Sequence, residues 1–241
     1  MSTSPILTFG RVVDRVTSGG RLELTLSGGI DNPGYHAFFE ALIADRLKLG
    51  QTLKQEELGA ILGLSLSPMR ETTTLLEAEG LIKVRRKVGI TIFYPDMKFV
   101  GNTFQFRGLL EKEGLRKFAG TVSREWISRM REEHGRIMEF VRTVNDLYAY
   151  RVPVKELERE FHESFISSLS NDQVSMIYAR LVQKMYLIRL HNLDAVGPAN
   201  TIQSMREHLD IIDLLEAGNV EGAIDALDRH LQGVLHRVLT T

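Results

Sequence analysis

Residues 53–82 read LKQEELGAILGLSLSPMRETTTLLEAEGLI. Two short helical patterns lie here on either side of a tight turn. The first spans about Thr52 to Leu62, with Thr52 as its N-cap and Gln55–Glu57 in its acidic first turn. GLSLSP is the turn, with Ser67 as a second N-cap and Pro68 at the first helical position, where a missing N–H is tolerated. The next helix runs from Pro68 to Glu79 and stops at Gly80. Upstream, Phe38, Phe39, Leu42, Ile43 and Leu47 mark one apolar face of a helix that opens at Tyr35 and closes at Gly50. Downstream, LIKVRRKVGITIF alternates Ile82, Val84, Ile90 and Ile92 about a basic tip, the pattern of a two-stranded ribbon. Helix, short helix, turn, helix, ribbon is the order of a winged helix-turn-helix. Its tip holds Lys83, Arg85, Arg86 and Lys87, and no acid occurs between Leu81 and Tyr94. Such a tip fits against phosphates or in a minor groove, and the helix after the turn fits a major groove. Winged helices also serve as protein-binding adaptors, but an adaptor does not need a basic wing.

The rest of the chain frames this unit. Residues 1–34 form an extension in which Leu22, Leu24 and Leu26 alternate with polar residues, so it reads as an added strand or as an arm. The winged unit takes residues 35–95, and residues 96–101 read as a linker punctuated by Pro95 and Gly101. Residues 102–240 carry six helical patterns, roughly 102–119, 123–146, 153–169, 172–194, 199–217 and 219–238. Ser123, Asn171 and Asn219 are cap or turn residues, and Pro153 and Pro198 stand near helix starts. Apolar faces joined by short loops make an antiparallel bundle, so the fold class is mainly α. The chain of 241 residues has a formal net charge of −1, so any contact with nucleic acid must come from a local patch. It contains no cysteine, which excludes a disulfide scaffold, a thiolate metal site and a cysteine nucleophile. No apolar run reaches the roughly 18–20 residues of a membrane span, and the first residues do not read as a signal peptide. A cytoplasmic protein without membrane contact is the expectation.

Seven histidines are present. Glu158 and His162 stand at i and i+4, so both donors emerge from one helix stripe. His208 lies ten residues before Gly218 and His230 twelve residues after it. A hairpin about Gly218 sets both at roughly 15–18 Å from the turn, level with each other. Glu158, His162, His208 and His230 would then offer three nitrogens and one carboxylate to a divalent transition metal. Imidazole donors point to zinc first, with nickel, iron or manganese as alternatives. A lone E-x-x-x-H is more often a surface ion pair, and a lone histidine on an apolar face is more often a core residue. His134, His36, His191 and His236 have no such relation and read as structural, with His191 also a candidate for the pocket wall.

These residues carry a family resemblance. Glu57, Leu58, Leu62, Gly63, Ser65, Pro68, Arg70, Glu71, Leu76, Glu77, Ala78, Glu79, Gly80 and Leu81 match the helix-turn-helix of the GntR family of bacterial transcription regulators, and Gly89 matches the glycine of its wing. The helical half resembles the FCD ligand-binding domain of the FadR subfamily. There, Arg107–Glu111 matches R-x-x-L-E, the stretch ending at His162 matches D-x-x-F-H, and Glu207–His208 and His230–Leu231 match the last two helices. Six helices rather than seven look more like the VanR-type branch. The resemblance implies a homodimer reading a palindromic operator, a metal on the carboxylate and three histidines, and a small effector such as an organic acid beside it. It also implies that Arg107 meets a carboxylate effector, unless it pairs with Glu111 on the surface. Three departures stand out: Leu66 where the family has an arginine, Thr72–Thr73 in place of Ala-Leu, and Glu158 in place of aspartate.

The reading is a ligand-responsive DNA-binding regulator acting as a repressor, and not an enzyme. Ser65, Ser67, Met69, Arg70 and Thr72 are expected to face the major groove or its phosphates, and Lys54, Arg85, Arg86 and Lys87 the backbone. A metal-dependent hydrolase is the alternative, but it needs an added general acid or base that the sequence does not offer.

Overall fold

The computed structural model describes residues 30, 32–144, 147–192 and 194–240. The strand or arm expected at Leu22, Leu24 and Leu26 lies outside the described residues. The chain divides into two compact units. Of the described residues, one holds those from 30 to 101 together with Ala179–His191, and the other holds those from 102 to 178 and from 192 to 240.

In the first unit, α1 (Pro33–Ile43) is capped by Asn32, whose Oδ1 accepts from the Tyr35 amide at 2.9 Å. It is shorter than its apolar pattern implied. Asp45 turns to a positive φ of 53°, and Arg46 bonds back to the Ala41 carbonyl, so Leu47 is buried from a loop instead of a helix. Thr52 is not a helix cap: Thr52–Leu53 forms β1, paired antiparallel with β3 (Gly89–Ile92), which also pairs with β2 (Ile82–Arg85). The wing is therefore a three-stranded sheet of order β1-β3-β2, not a two-stranded ribbon. Helix α2 (Gln55–Leu62) starts behind Lys54, whose amide donates to Glu57 Oε2 at 2.7 Å, and ends at Gly63 with φ 68°. Helix α3 (Leu66–Ala78) begins two residues earlier than expected, with Ser65 as N-cap. Tyr35, Phe38, Phe39, Leu58, Met69 and Leu76 form the core between these helices.

The second unit is an all-α bundle. Helix α4 (Met97–Ala119) runs unbroken through residues 96–101 from an Asp96 cap, so the expected linker is largely helical. It is followed by α5 (Arg124–Thr143), α6 (Leu147–Ser168), α7 (Asp172–His191), a short 3-10 turn, α8 (Pro198–Glu216) and α9 (Val220–Thr240). Ser123, Asn171 and Asn219 each accept an amide at a helix start, and Pro198 opens α8. Pro153 differs from expectation: it lies inside α6 and removes one amide from the helical ladder, and the helix begins six residues before it. The later part of α7 packs with the winged unit, where Tyr35 donates to Gln183 and Arg180 lies 3.5 Å from Glu79. Helix α8 packs on both α9 and α5, and α5 on α6.

Helices α4 and α6 approach at a glycine. A Cβ on Gly114 would stand 2.5 Å from the Phe165 carbonyl oxygen, and the same surface is stitched by Ser168 donating to the Gly114 carbonyl at 2.8 Å. One turn back along each helix, this contact faces Glu111 toward His162. Alanine favours a helix over glycine at either of two positions on α4, but only one is crowded. Gly114→Ala should destabilise the protein by about 1–3 kcal/mol through overpacking, whereas Gly101→Ala, with nothing within 4 Å of its Cβ, should leave the melting temperature unchanged or raised.

Candidate functional site

Helix α3 presents two faces. Met69, Thr72 and Leu76 form its inward stripe at i, i+3 and i+7. Met69 and Thr72 are therefore corrections to the expected groove-facing set: both are buried. Met69 fills the core, and the Thr72 hydroxyl donates to Asn32 Oδ1 at 3.3 Å. Gly34 makes room for it, because a Cβ there would stand 2.0 Å from Thr72 Oγ1. Ser65, Leu66, Ser67 and Arg70 remain on the exposed side, with Leu66 64% exposed. The wing presents Lys83, Arg85, Arg86 and Lys87 to solvent. It is tied to α3 by the Val84 amide on Glu77 Oε1 at 2.8 Å, and to α2 by Lys54 Nζ donating to the Val88 carbonyl at 3.2 Å. Lys54 is thus exposed and also braces the wing. Gly89 is required where β3 passes β1: its φ is 133°, and a Cβ would stand 2.5 Å from the Leu53 carbonyl oxygen.

In the second unit, His162 from α6, His208 from α8 and His230 from α9 converge, with one nitrogen of each within 4.8 Å of the others. The α8–α9 hairpin turns at Gly218, φ 70°, and sets His208 Nε2 3.2 Å from His230 Nε2. Glu158, one turn before His162, places Oε1 3.7 Å from His208 Nε2. All three rings are buried, and Phe161 stacks on His208 with centroids 4.2 Å apart. Burial pushes His162 down to about 4. Burial, together with the neighbouring histidines and Arg107, also holds His208 well below the usual range.

The partners of the outer nitrogens decide what the inner ones offer. His230 Nδ1 lies 2.7 Å from Glu207 Oε2. Burial would raise the Glu207 carboxyl, but hydrogen bonds from His230 and Arg237 outweigh it and hold it at about 2. A carboxylate only accepts, so His230 donates from Nδ1, and in its neutral form the lone pair is on Nε2. His208 Nδ1 lies 3.0 Å from His134 Nε2, and His134 Nδ1 lies 2.6 Å from the Met130 carbonyl oxygen. The carbonyl can only accept, so a neutral His134 donates from Nδ1, accepts at Nε2, and leaves His208 protonated on Nδ1. His162 Nδ1 stands 2.8 Å from Glu111 Oε2, off the line of a well-directed hydrogen bond, and its Nε2 has no protein partner. His208 Nε2 and His230 Nε2 thus face each other in a buried space, with one nitrogen of His162 within 4.8 Å of the cluster. A shared proton could relieve only one pair, and His162 Nε2 would still be unsatisfied. The donor set, nitrogen with a carboxylate oxygen and no thiolate, fits a divalent transition metal.

Beside the histidines lies a buried ion cluster. Arg107 Nε donates to Glu111 Oε1 at 2.5 Å, and Tyr178 donates to the same oxygen at 2.5 Å. Burial would raise the Glu111 carboxyl, but Arg107 and His162 hold it well below the usual carboxylate range. The i,i+4 pairing of Arg107 with Glu111 exists, but in the interior and not on the surface. Arg107 Nη1 is buried without a hydrogen-bond partner. Sequence reasoning gave Glu111 only as a surface partner of Arg107, read His134 as structural, named Glu207 only within a family match, and assigned no role to Tyr178 or Arg237. The acid immediately before His208 and the acid four residues after Arg107 were available signals. His134 offered none, since its partners are a carbonyl and a ring on another helix.

Comparison with known proteins agrees with the fold. Residues 102–233 match the FCD domain, and residues 35–92 match the bacterial regulatory proteins of the gntR family. The chain is 26% identical over 205 residues to BphR of Paraburkholderia xenovorans (strain LB400), described as an uncharacterized HTH-type transcriptional regulator, covering 81% of each. It is 28% identical over 191 residues to a protein of Paenarthrobacter nicotinovorans described as a probable D-xylose utilization operon transcriptional repressor, covering 79% of this chain and 80% of that one. The solved structure of Escherichia coli McbR/YncC shares the fold with a TM-score of 0.66 at 15% identity, covering 87% of this chain and 98% of that one. With one unit a GntR helix-turn-helix and more than half the chain an FCD domain, the protein belongs to the GntR family of DNA-binding transcriptional regulators and is not an enzyme.

Proposed function

We propose that this regulator represses transcription and senses a small organic acid beside a divalent metal ion held by Glu158, His162, His208 and His230. The observation that carries the reading is the convergence of three buried imidazoles, one nitrogen of each within 4.8 Å of the others, with His208 Nε2 and His230 Nε2 3.2 Å apart and His162 Nε2 without a protein partner. Zinc suits these donors first, with nickel, iron or manganese as alternatives. The free Nη1 of Arg107 is a buried cationic donor, and a carboxylate effector is the group that complements it. Effector binding would order the helices that carry these groups and bias the winged helices between DNA-competent arrangements. The coupling is reciprocal and on the order of 1–3 kcal/mol.

On the DNA side, Ser65, Ser67 and Arg70 are the groove-facing candidates, and Lys54, Arg85, Arg86 and Lys87 the phosphate contacts. Leu66, exposed at the start of α3, suits a thymine methyl where an arginine would suit guanine. A palindromic operator needs two equivalent recognition helices, hence a homodimer. Phe106 and Leu109 on α4 and Met176 and Ile177 on α7 are exposed apolar residues that a second copy would cover. Among the described residues no helix is long and apolar enough to cross a membrane, which is consistent with a cytoplasmic regulator.

Two measurements test this reading. His208→Ala and His230→Ala, purified folded, should lose the metal that wild-type protein carries. Full occupancy in both, or a wild type that takes up none, would sink the metal assignment. Removing the charges of Arg85 and Arg86 together should weaken binding to all duplexes alike. It should also reduce the slope of log affinity against log salt by about 0.9 per lost phosphate contact, and an unchanged slope would remove the wing from the interface.

A further inference from the structure

His134 lies on α5, outside the group of converging donors, and is fully buried. Both its nitrogens have partners, and neither partner is charged: the Met130 carbonyl at 2.6 Å from Nδ1, and His208 Nδ1 at 3.0 Å from Nε2. The Met130 carbonyl belongs to the same helix, one turn back, so the acceptor is fixed by the backbone. Edge contacts with Phe161 and with His208 hold the ring, with centroids 5.4 Å and 5.2 Å away.

We propose that His134 is a positioning residue that locks His208 in the Nδ1–H tautomer and so aims the His208 Nε2 lone pair at the metal. The inference rests on the metal reading above and adds a residue to it. His134 is no ligand itself, because its one lone pair is taken by His208. Its part is the one that Glu207 plays for His230: an acceptor behind the ring fixes which nitrogen is bare. Here the acceptor is a neutral imidazole backed by a main-chain carbonyl. It orients the ring without adding a negative charge behind it, so His208 should be a weaker electron donor than the carboxylate-backed His230. In water the Nε2–H tautomer of imidazole is ordinarily favoured, so without His134 the proton of His208 would return to the nitrogen that has to be bare.

The test uses the full chain, with zinc as the probe. In metal-free wild-type protein, the nitrogen NMR spectrum of the His208 ring should show Nδ1 protonated and Nε2 bare. His134→Phe keeps the ring packing but removes the acceptor, and zinc affinity measured against a competing chelator should fall about 10–100-fold. His134→Gln can donate to the Met130 carbonyl and accept from His208, and should recover affinity to within about threefold of wild type. Melting of the metal-free proteins identifies any variant that has lost its fold, and in that case the wild-type tautomer decides the question. Zinc binding by His134→Phe as tight as wild type, or an Nε2–H His208 in wild-type protein, overturns the proposal. A wild type that binds no zinc overturns the metal reading and this proposal with it, whereas the first result overturns the proposal alone.

Discussion

Three buried imidazoles, His162, His208 and His230, bring one nitrogen each within 4.8 Å of the others, and the side chains of the helical unit that surround them are arranged about that cluster. Each of the unit's six α-helices among the described residues brings a side chain to the cluster or to its support: Glu111 from α4, His134 from α5, Glu158 and His162 from α6, Tyr178 from α7, His208 from α8 and His230 from α9. Burying so many polar groups is costly unless each is satisfied. Glu111 is met by Arg107 and Tyr178, and Glu207 by both terminal nitrogens of Arg237 at 2.9 Å. Around the cluster, the buried atoms without a hydrogen-bond partner are both nitrogens of His162, Glu111 Oε2, which lies 2.8 Å from His162 Nδ1, and Arg107 Nη1. A cation and an anion are the two groups that would complete it.

The same economy of partners shapes the winged unit. Thr72 stands where the family has an alanine, and its hydroxyl is accommodated because Gly34 lets α1 approach and Asn32 accepts from it. The wing is not a free hairpin. β1 pairs with β3, Glu77 accepts the Val84 amide and Lys54 donates to Val88, so the basic tip is held at a fixed place relative to α3. Rigid support beneath an exposed cationic edge is what phosphate contacts require if they are to set register on a duplex.

Much of this was legible in the residues, because punctuation and period are local. Gly63 and Gly80 ended helices with φ of 68° and 72°, and Gly218 made the hairpin that levels His208 with His230. What failed was set by distant partners or by phase. β1 is two residues long and exists only because β3 lies beside it. Placing the start of α3 at Pro68 ignored the i, i+3, i+7 stripe of Met69, Thr72 and Leu76, which turns two of the expected groove contacts inward. Pro153 marked a helix start by rule, yet lies within α6. His134 had no sequence partner at all, since a carbonyl one turn back carries no residue signature.

The central claim is that the inner nitrogens share one metal ion. X-ray absorption on the zinc-loaded protein tests it directly. The account predicts a first shell with about three imidazole nitrogens near 2.0–2.1 Å, their outer-ring scattering visible, and oxygen completing the coordination. A shell of oxygens alone, with no imidazole scattering, would place the metal on surface carboxylates and contradict it.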